Sequence, residues 1–275
     1  MSITSYKTGN ISPSSILVGN AYYNPPPTSP VSGYYMWFDA SDTSTITSSG
    51  GFVSQWNDKS ANALNVTNVV ANDTNRPKTG VSTMNGKNVL TWDNASVWKG
   101  LLRDTPSPLT GNPNVTIFVV ANYKTGANYY GASGIIGIGN DQASPDGSTI
   151  NMSFIVVPAW GTVGSGGFGA SPNRTVSVNS DLRNTARCYI INKNSSNITT
   201  AYFGKTSQGT ASGSWNVYTT GSGFSKFGIG YVPQNASAGN YTFFGDIAEI
   251  LVYTSSLSTT DRELNVDYLA NKWGL

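Results

Sequence analysis

Gly245-Asp246-Ile247-Ala248-Glu249-Ile250-Leu251-Val252-Tyr253, then Thr254-Ser255-Ser256-Leu257-Ser258, then residues 259–275 decide how this chain folds. The first nine residues read as a strand, and the next five as a polar turn. The remainder carries the spacing of an amphipathic helix from about Thr259 to Lys272. Leu264, Tyr268, Leu269 and Trp273 recur at helical intervals and form the expected buried face, leaving Arg262, Asn265 and Lys272 for solvent. Ser258 or Thr260 caps the helix, with Asp261 or Glu263 three residues on to complete a capping box. Gly274 ends it.

Working outward, the domain opens at Gly33-Tyr34-Tyr35-Met36-Trp37-Phe38-Asp39. It continues through Gly51-Phe52-Val53-Ser54-Gln55-Trp56-Asn57-Asp58-Lys59-Ser60 and Asn85-Gly86-Lys87-Asn88-Val89-Leu90-Thr91-Trp92-Asp93. The middle is a series of short β-branched runs, among them Val115 to Ala121, Ile150 to Val157, Cys188 to Ile191 and Phe227 to Tyr231, parted by Gly, Asn and Pro. Many short strands with such turns predict an antiparallel sandwich. No fixed period repeats, which argues against a propeller or solenoid.

The opening segments at 33–104 and the closing block at 243–275 resemble the concanavalin A-like lectin/glucanase superfamily. The resemblance is to its laminin-G-like jelly-roll domains of viral and phage surface proteins, and the middle of the chain agrees with them mainly in pattern. It implies an all-β fold: an antiparallel two-sheet jelly roll over residues 33–275, with one C-terminal helix and an extended N-terminal arm over residues 1–32. In that arm Ile16, Leu17, Val18, Tyr22 and Tyr23 form an apolar run. Pro25-Pro26-Pro27 follows, which favours an extended linker. The run is expected to add a strand to the sheet edge of a neighbouring subunit.

Composition excludes several function classes. Charged residues are 11% of the chain, against roughly 25% in typical soluble proteins, and the net charge is +2 with no dense Lys/Arg run. Nucleic-acid binding therefore has no electrostatic footprint. No apolar stretch reaches the length of a membrane span, and residues 1–7 lack the apolar core of a signal peptide. There is no histidine, which removes Ser-His-Asp machinery, His-ligated zinc and the usual neutral-pH base. The single cysteine, Cys188, reads as a buried thiol.

The remaining polar residues offer few constellations. Asp39 and Asp42 read as caps of turn amides; calcium ligation is the alternative, because some relatives bind calcium through oxygen ligands. No other cofactor is expected. Trp37, Trp56 and Trp92 read as core aromatics. Asp246 and Glu249 are three apart on one strand and are expected on opposite faces, too few and too divergent for the paired carboxylates of a glycosidase. Glu249 is expected to make a buried hydrogen bond or an ion pair. Tyr129, Tyr130, Asp141, Asp146 and Trp160 lie in Gly- and Asn-rich loops and are the candidate glycan contacts.

These features predict a non-enzymatic virion or surface structural protein: a minor capsid, decoration or fibre component. It would be made in the host cytoplasm and would dock onto other virion subunits through its arm. The alternative is a carbohydrate-binding adhesin that recognises host-surface glycans with the same sandwich.

Overall fold

Nine residues from Gly245 to Tyr253 form a strand that is buried from end to end, and the rest of the fold is assembled around it. In the computed structural model the described residues are 16–18, 21–23, 25–68, 76–93, 100–103, 109, 111–124, 135–139, 153–157, 166–170, 174–178, 182–214, 226–230 and 243–275. They form strands β1 (Ile16–Val18), β2 (Ala21–Tyr23), β3 (Met36–Asp39), β4 (Ile46–Ser49), β5 (Phe52–Trp56), β6 (Val66–Asn68), β7 (Lys78–Met84), β8 (Lys87–Trp92), β9 (Leu101–Arg103) and β10 (Val115–Tyr123). The series continues with β11 (Ile136–Gly139), β12 (Ser153–Val157), β13 (Gly166–Ala170), β14 (Arg174–Val178), β15 (Arg187–Lys193), β16 (Ile198–Phe203), β17 (Thr206–Ser212), β18 (Lys226–Ile229) and β19 (Gly245–Tyr253), and ends in helix α1 (Thr259–Trp273).

The fold is thus mostly β with one C-terminal helix. Strands β3 to β19 join in one large antiparallel network that does not close. Its centre is β10, which pairs with β15 on one side and β19 on the other. The far edge of β19 is shared: Glu249 to Val252 pair with β3, and Gly245 to Ile247 pair with β8.

The central strands are covered on both faces, so their sequences show continuous apolar runs rather than alternation. Ile117, Val119 and Ala121 of β10, with Ile247, Ile250 and Val252 of β19, enter one apolar core. Phe118 and Val120, with Leu251 and Tyr253, enter a second core beneath Val266, Tyr268, Leu269 and Trp273 of α1. A β-bulge breaks the alternation of β19. Val120 lies opposite Glu249 and Ala121 opposite Ile247, so Ala248 is an extra residue. The bulge puts Glu249 on the helix side together with Asp246, whose partner Thr91 points away from the first core between Leu90 and Trp92. The expectation of opposite faces fails for this reason: strand parity does not survive an inserted residue.

Helix α1 keeps its expected ends. The Ser258 hydroxyl accepts from the Asp261 N–H, and Gly274 closes the helix at φ 72°. Its buried face is rotated from the expected one. Leu264 is 37% exposed, whereas Arg262 and Asn265 are buried. Arg262 lies 4.1 Å above the Tyr202 ring. The Asn265 side chain accepts from the Val31 N–H at 2.9 Å and lies 3.2 Å from the Tyr253 hydroxyl. Polar groups with partners displaced an aliphatic one from the interface. Among the described residues no helix is long and apolar enough to cross a membrane.

The apolar run expected as an extended arm folds back on itself. Ile16 pairs with Tyr23, Leu17 with Tyr22 and Val18 with Ala21 in a two-stranded sheet of its own. A hairpin satisfies backbone groups that a lone extended segment leaves to water or to a partner. Further along, the Tyr253 hydroxyl donates to the Val31 carbonyl at 2.7 Å, fastening the segment after the prolines to β19.

Candidate functional site

Where β3, β19 and α1 meet, acidic and basic side chains gather around an open cleft. Pairing of β3 with β19 sets Asp39 opposite Glu249. The last turn of α1 brings Lys272 over both carboxylates, 2.8 Å from Asp39 Oδ1 and 2.7 Å from Glu249 Oε2. Glu249 has no solvent-exposed surface. Its Oε1 accepts from Trp37 Nε1 at 2.7 Å and from the Tyr268 hydroxyl at 2.8 Å, and its Oε2 accepts from Trp273 Nε1 at 2.7 Å. A buried carboxylate is tolerated only when its lone pairs are so filled, and this bears out the expected pairing of Glu249.

Asp39 has a second cation. Lys59 Nζ lies 3.1 Å from Asp39 Oδ2 and 2.8 Å from Asp42 Oδ2, and it sits 4.4 Å above the Trp37 ring. Ser41 donates to Asp39 from its N–H at 3.1 Å and its hydroxyl at 2.6 Å. Burial pushes the Asp39 carboxyl up, but Lys272, Ser41 and Lys59 outweigh it and hold the carboxyl below its ordinary value. For Glu249 burial wins over Lys272 and raises the carboxyl. Burial is also the main reason the Tyr268 hydroxyl is pushed up, and the neighbouring Glu249 charge adds to it. The two carboxylates thus differ because Asp39 has two ammoniums and the Ser41 donors at hand, whereas for Glu249 burial prevails.

The cleft has a volume of 480 Å³ and is lined by Pro27 and Thr28 of the linker, by Trp37, Asp39 and Ser41 at the end of β3, by Lys59 and Lys87, and by Tyr268, Asn271 and Lys272 of α1. It combines aromatic surface with a hydroxyl, an amide and ammonium groups, which is the mixture that engages polyhydroxylated ligands.

The expected calcium ligands Asp39 and Asp42 are therefore brought together, and their neighbouring cations are lysine ammoniums. Among the described residues no group of three or more His, Cys, Asp or Glu gathers to hold a metal. Tyr129, Tyr130, Asp141, Asp146 and Trp160 lie outside the described residues. Ile16, Leu17, Val18, Tyr22 and Tyr23 are in the hairpin. Trp56 and Trp92 are fully buried core residues, while Trp37 is half-buried and lines the cleft. Cys188 is buried, and that burial raises its thiol well above the ordinary range. Sequence reasoning missed Lys59, Lys87, Tyr268 and Lys272 as a group. Only the i, i+4 spacing of Tyr268 and Lys272 on the helix signalled that two of them meet.

No family model matches the sequence, and no curated protein matches it. Solved structures do share the fold. Domain 4 of AbnA, an extracellular GH43 arabinanase from Geobacillus stearothermophilus determined in complex with arabinotriose, aligns over 84% of this chain and 96% of its own, with a TM-score of 0.52 and 10% identity. A Trypanosoma rangeli sialidase mutant displaying trans-sialidase activity aligns over 89% of this chain, with a TM-score of 0.58 and 13% identity. An arabinofuranosidase complexed with arabinofuranosyl-α-1,2-xylobiose aligns over 88%, with a TM-score of 0.55 and 12% identity. The aligned region spans about a third (34%) of the sialidase and 60% of the arabinofuranosidase. At these identities the likeness is one of fold, to β-rich structures found in glycoside hydrolases.

Two expectations are corrected by this finding. The reading as a virion structural component gives way, because the similar structures belong to carbohydrate-active enzymes. The reading that placed the chain apart from enzymes gives way for the same reason. It leaned on missing histidines and on the supposed divergence of Asp246 and Glu249, and the bulge removes that divergence.

Proposed function

We propose that the chain recognises carbohydrate, with a polysaccharide or glycan as ligand and the β3–β19–α1 cleft as the binding site. In this reading the antiparallel network is folded over as the two-layer jelly roll of concanavalin A-like, laminin-G-like domains. Two separate apolar clusters on opposite faces of β10, β15 and β19 support that layering. The observation that carries the function is the alignment with nearly the whole of an arabinanase domain determined with arabinotriose, at 96% of that domain's length. The make-up of the cleft supports it independently, since aromatic rings beside hydroxyl, amide and charged groups suit sugar faces and sugar hydroxyls.

The test is a glycan array followed by calorimetric titration of the full chain with the oligosaccharides retained, arabinotriose included. Asn271→Ala removes a cleft amide from the exposed side of α1 and should weaken binding with melting unchanged. Product analysis of the same mixtures reads any cleavage of the bound sugar. Absence of binding across the array, or binding indifferent to Asn271→Ala and Ser41→Ala together, overturns the assignment of this cleft.

A further inference from the structure

We infer that the cleft selects glycans that carry a carboxylate, and that Lys87 is the residue that selects them. The inference rests on the carbohydrate reading above and narrows it. Its basis is the one ammonium in the cleft lining that no carboxylate of the described residues engages. Lys59 is shared by Asp39 and Asp42, and Lys272 is shared by Asp39 and Glu249. Both ammoniums are therefore already engaged. The carboxylates are engaged as well and largely withdrawn: the Glu249 side chain is 0% exposed and that of Asp39 5%. Asp42 is not part of the cleft lining. Of the four charged residues that line the cleft, Asp39, Lys59 and Lys272 answer one another, and Lys87 answers none of them. Among the described residues Lys87 has no ion pair.

The position of Lys87 is fixed by its surroundings. It begins β8 on the face that carries Val89 into the helix-side core. The turn before it is tied to α1, because the Asn85 side-chain amide donates to the Lys272 carbonyl at 3.1 Å. Lys87 and the end of α1 therefore line one opening. A neutral sugar offers hydroxyls to the half-buried Trp37 ring, Ser41 and Asn271 but has no charge for this ammonium. A uronic-acid carboxylate supplies it, and an ammonium–carboxylate hydrogen bond is stronger than a neutral one.

Calorimetric titration of the full chain with galactotriose and with trigalacturonate tests this, because the two share a skeleton and differ at C6 in hydroxymethyl against carboxylate. Trigalacturonate should bind about tenfold more tightly at low salt, and the advantage should shrink at about 0.5 M salt as the charges are screened. Lys87→Gln should abolish the advantage, read as the ratio of the two affinities, with the melting temperature unchanged, while Lys87→Arg should retain it. Equal affinities for the two sugars, or an advantage that survives Lys87→Gln, overturns the inference and leaves the carbohydrate reading standing. Binding of neither sugar, alongside a silent glycan array, overturns both.

Discussion

Asp39 and Glu249 stand directly across from each other on β3 and β19, and the single ammonium of Lys272 lies within 2.8 Å of the first and 2.7 Å of the second. Like charges opposite one another on neighbouring strands repel. Here the repulsion is cancelled by a lysine whose own sequence position, near the end of an amphipathic helix, reads as solvent-facing. Lys272→Ala should therefore cost about 3 kcal/mol, as removal of one member of a buried ion cluster, rather than the ~0.5 kcal/mol or less of a surface change. Urea unfolding measures the loss. Adding Glu249→Gln to Lys272→Ala should restore part of it, and strictly additive losses would count against a shared charge.

Trp273 is 1% exposed and donates from its indole N–H to Glu249. Trp273→Ala should cost about 3–5 kcal/mol. Trp273→Phe should cost less, about 1–3 kcal/mol, because it keeps most of the volume but leaves a buried carboxylate oxygen short of a donor. Denaturant midpoints of the two variants give the order; a Phe variant as damaged as the Ala variant would assign the effect to the lost indole donor rather than to packing.

The rotated face of α1 predicts an inversion of the usual hydrophobic rule. Asn265→Ala should destabilise by about 1–3 kcal/mol, since it orphans the Val31 N–H. Leu264→Ala, at a position 37% exposed, should stay within about 0.5 kcal/mol. Equilibrium unfolding in urea compares them directly, and a larger loss at Leu264 would restore the face expected from spacing.

The charge cluster sets a pH window. The Asp39 carboxyl is lowered: burial pushes it up, but the hydrogen bonds and charge of Lys272, Ser41 and Lys59 prevail. A lowered acid contributes stability above its ordinary value of 3.8, and that stability is lost as pH falls through the folded value. The Lys59 ammonium is raised: burial pulls it down, but Asp42 and Asp39 prevail. Its contribution is complete below 10.5 and is lost as pH rises through the folded value. Glu249, raised by burial, works in the opposite sense on the acid side. Melting temperature against pH should show the acid limb flattened in Asp39→Asn and the alkaline limb flattened in Lys59→Met. Unchanged limbs would remove the cluster from the pH response.

Local signals in the sequence read well because they depend on neighbours along the chain. The strand at Gly245–Tyr253, the start of the helix at Ser258 and its end at Gly274 all follow from residues within a few positions. The buried face of α1 was less legible. Leu264 suits a core by type, but Arg262 found the Tyr202 ring and Asn265 found Val31, contacts separated by 60 and 234 positions. The bulge at Ala248 was hidden for a related reason: it is a mismatch in length between β10 and β19 and has no residue-type signature. For the site, the paired burial of Glu249 could be read from an acid inside an apolar strand. Its lysine could not, since a charge at a helix end ordinarily faces water.

The tie between Val31 and α1 brings two sequence-distant segments to the same place. Pro27 and Thr28 border the same opening as Asn271 and Lys272, so the segment leading into the domain and the helix that closes it run to one corner. A fold whose two connections lie side by side can be grafted into a surface loop of a host protein, or cut and rejoined elsewhere, with little strain on either partner.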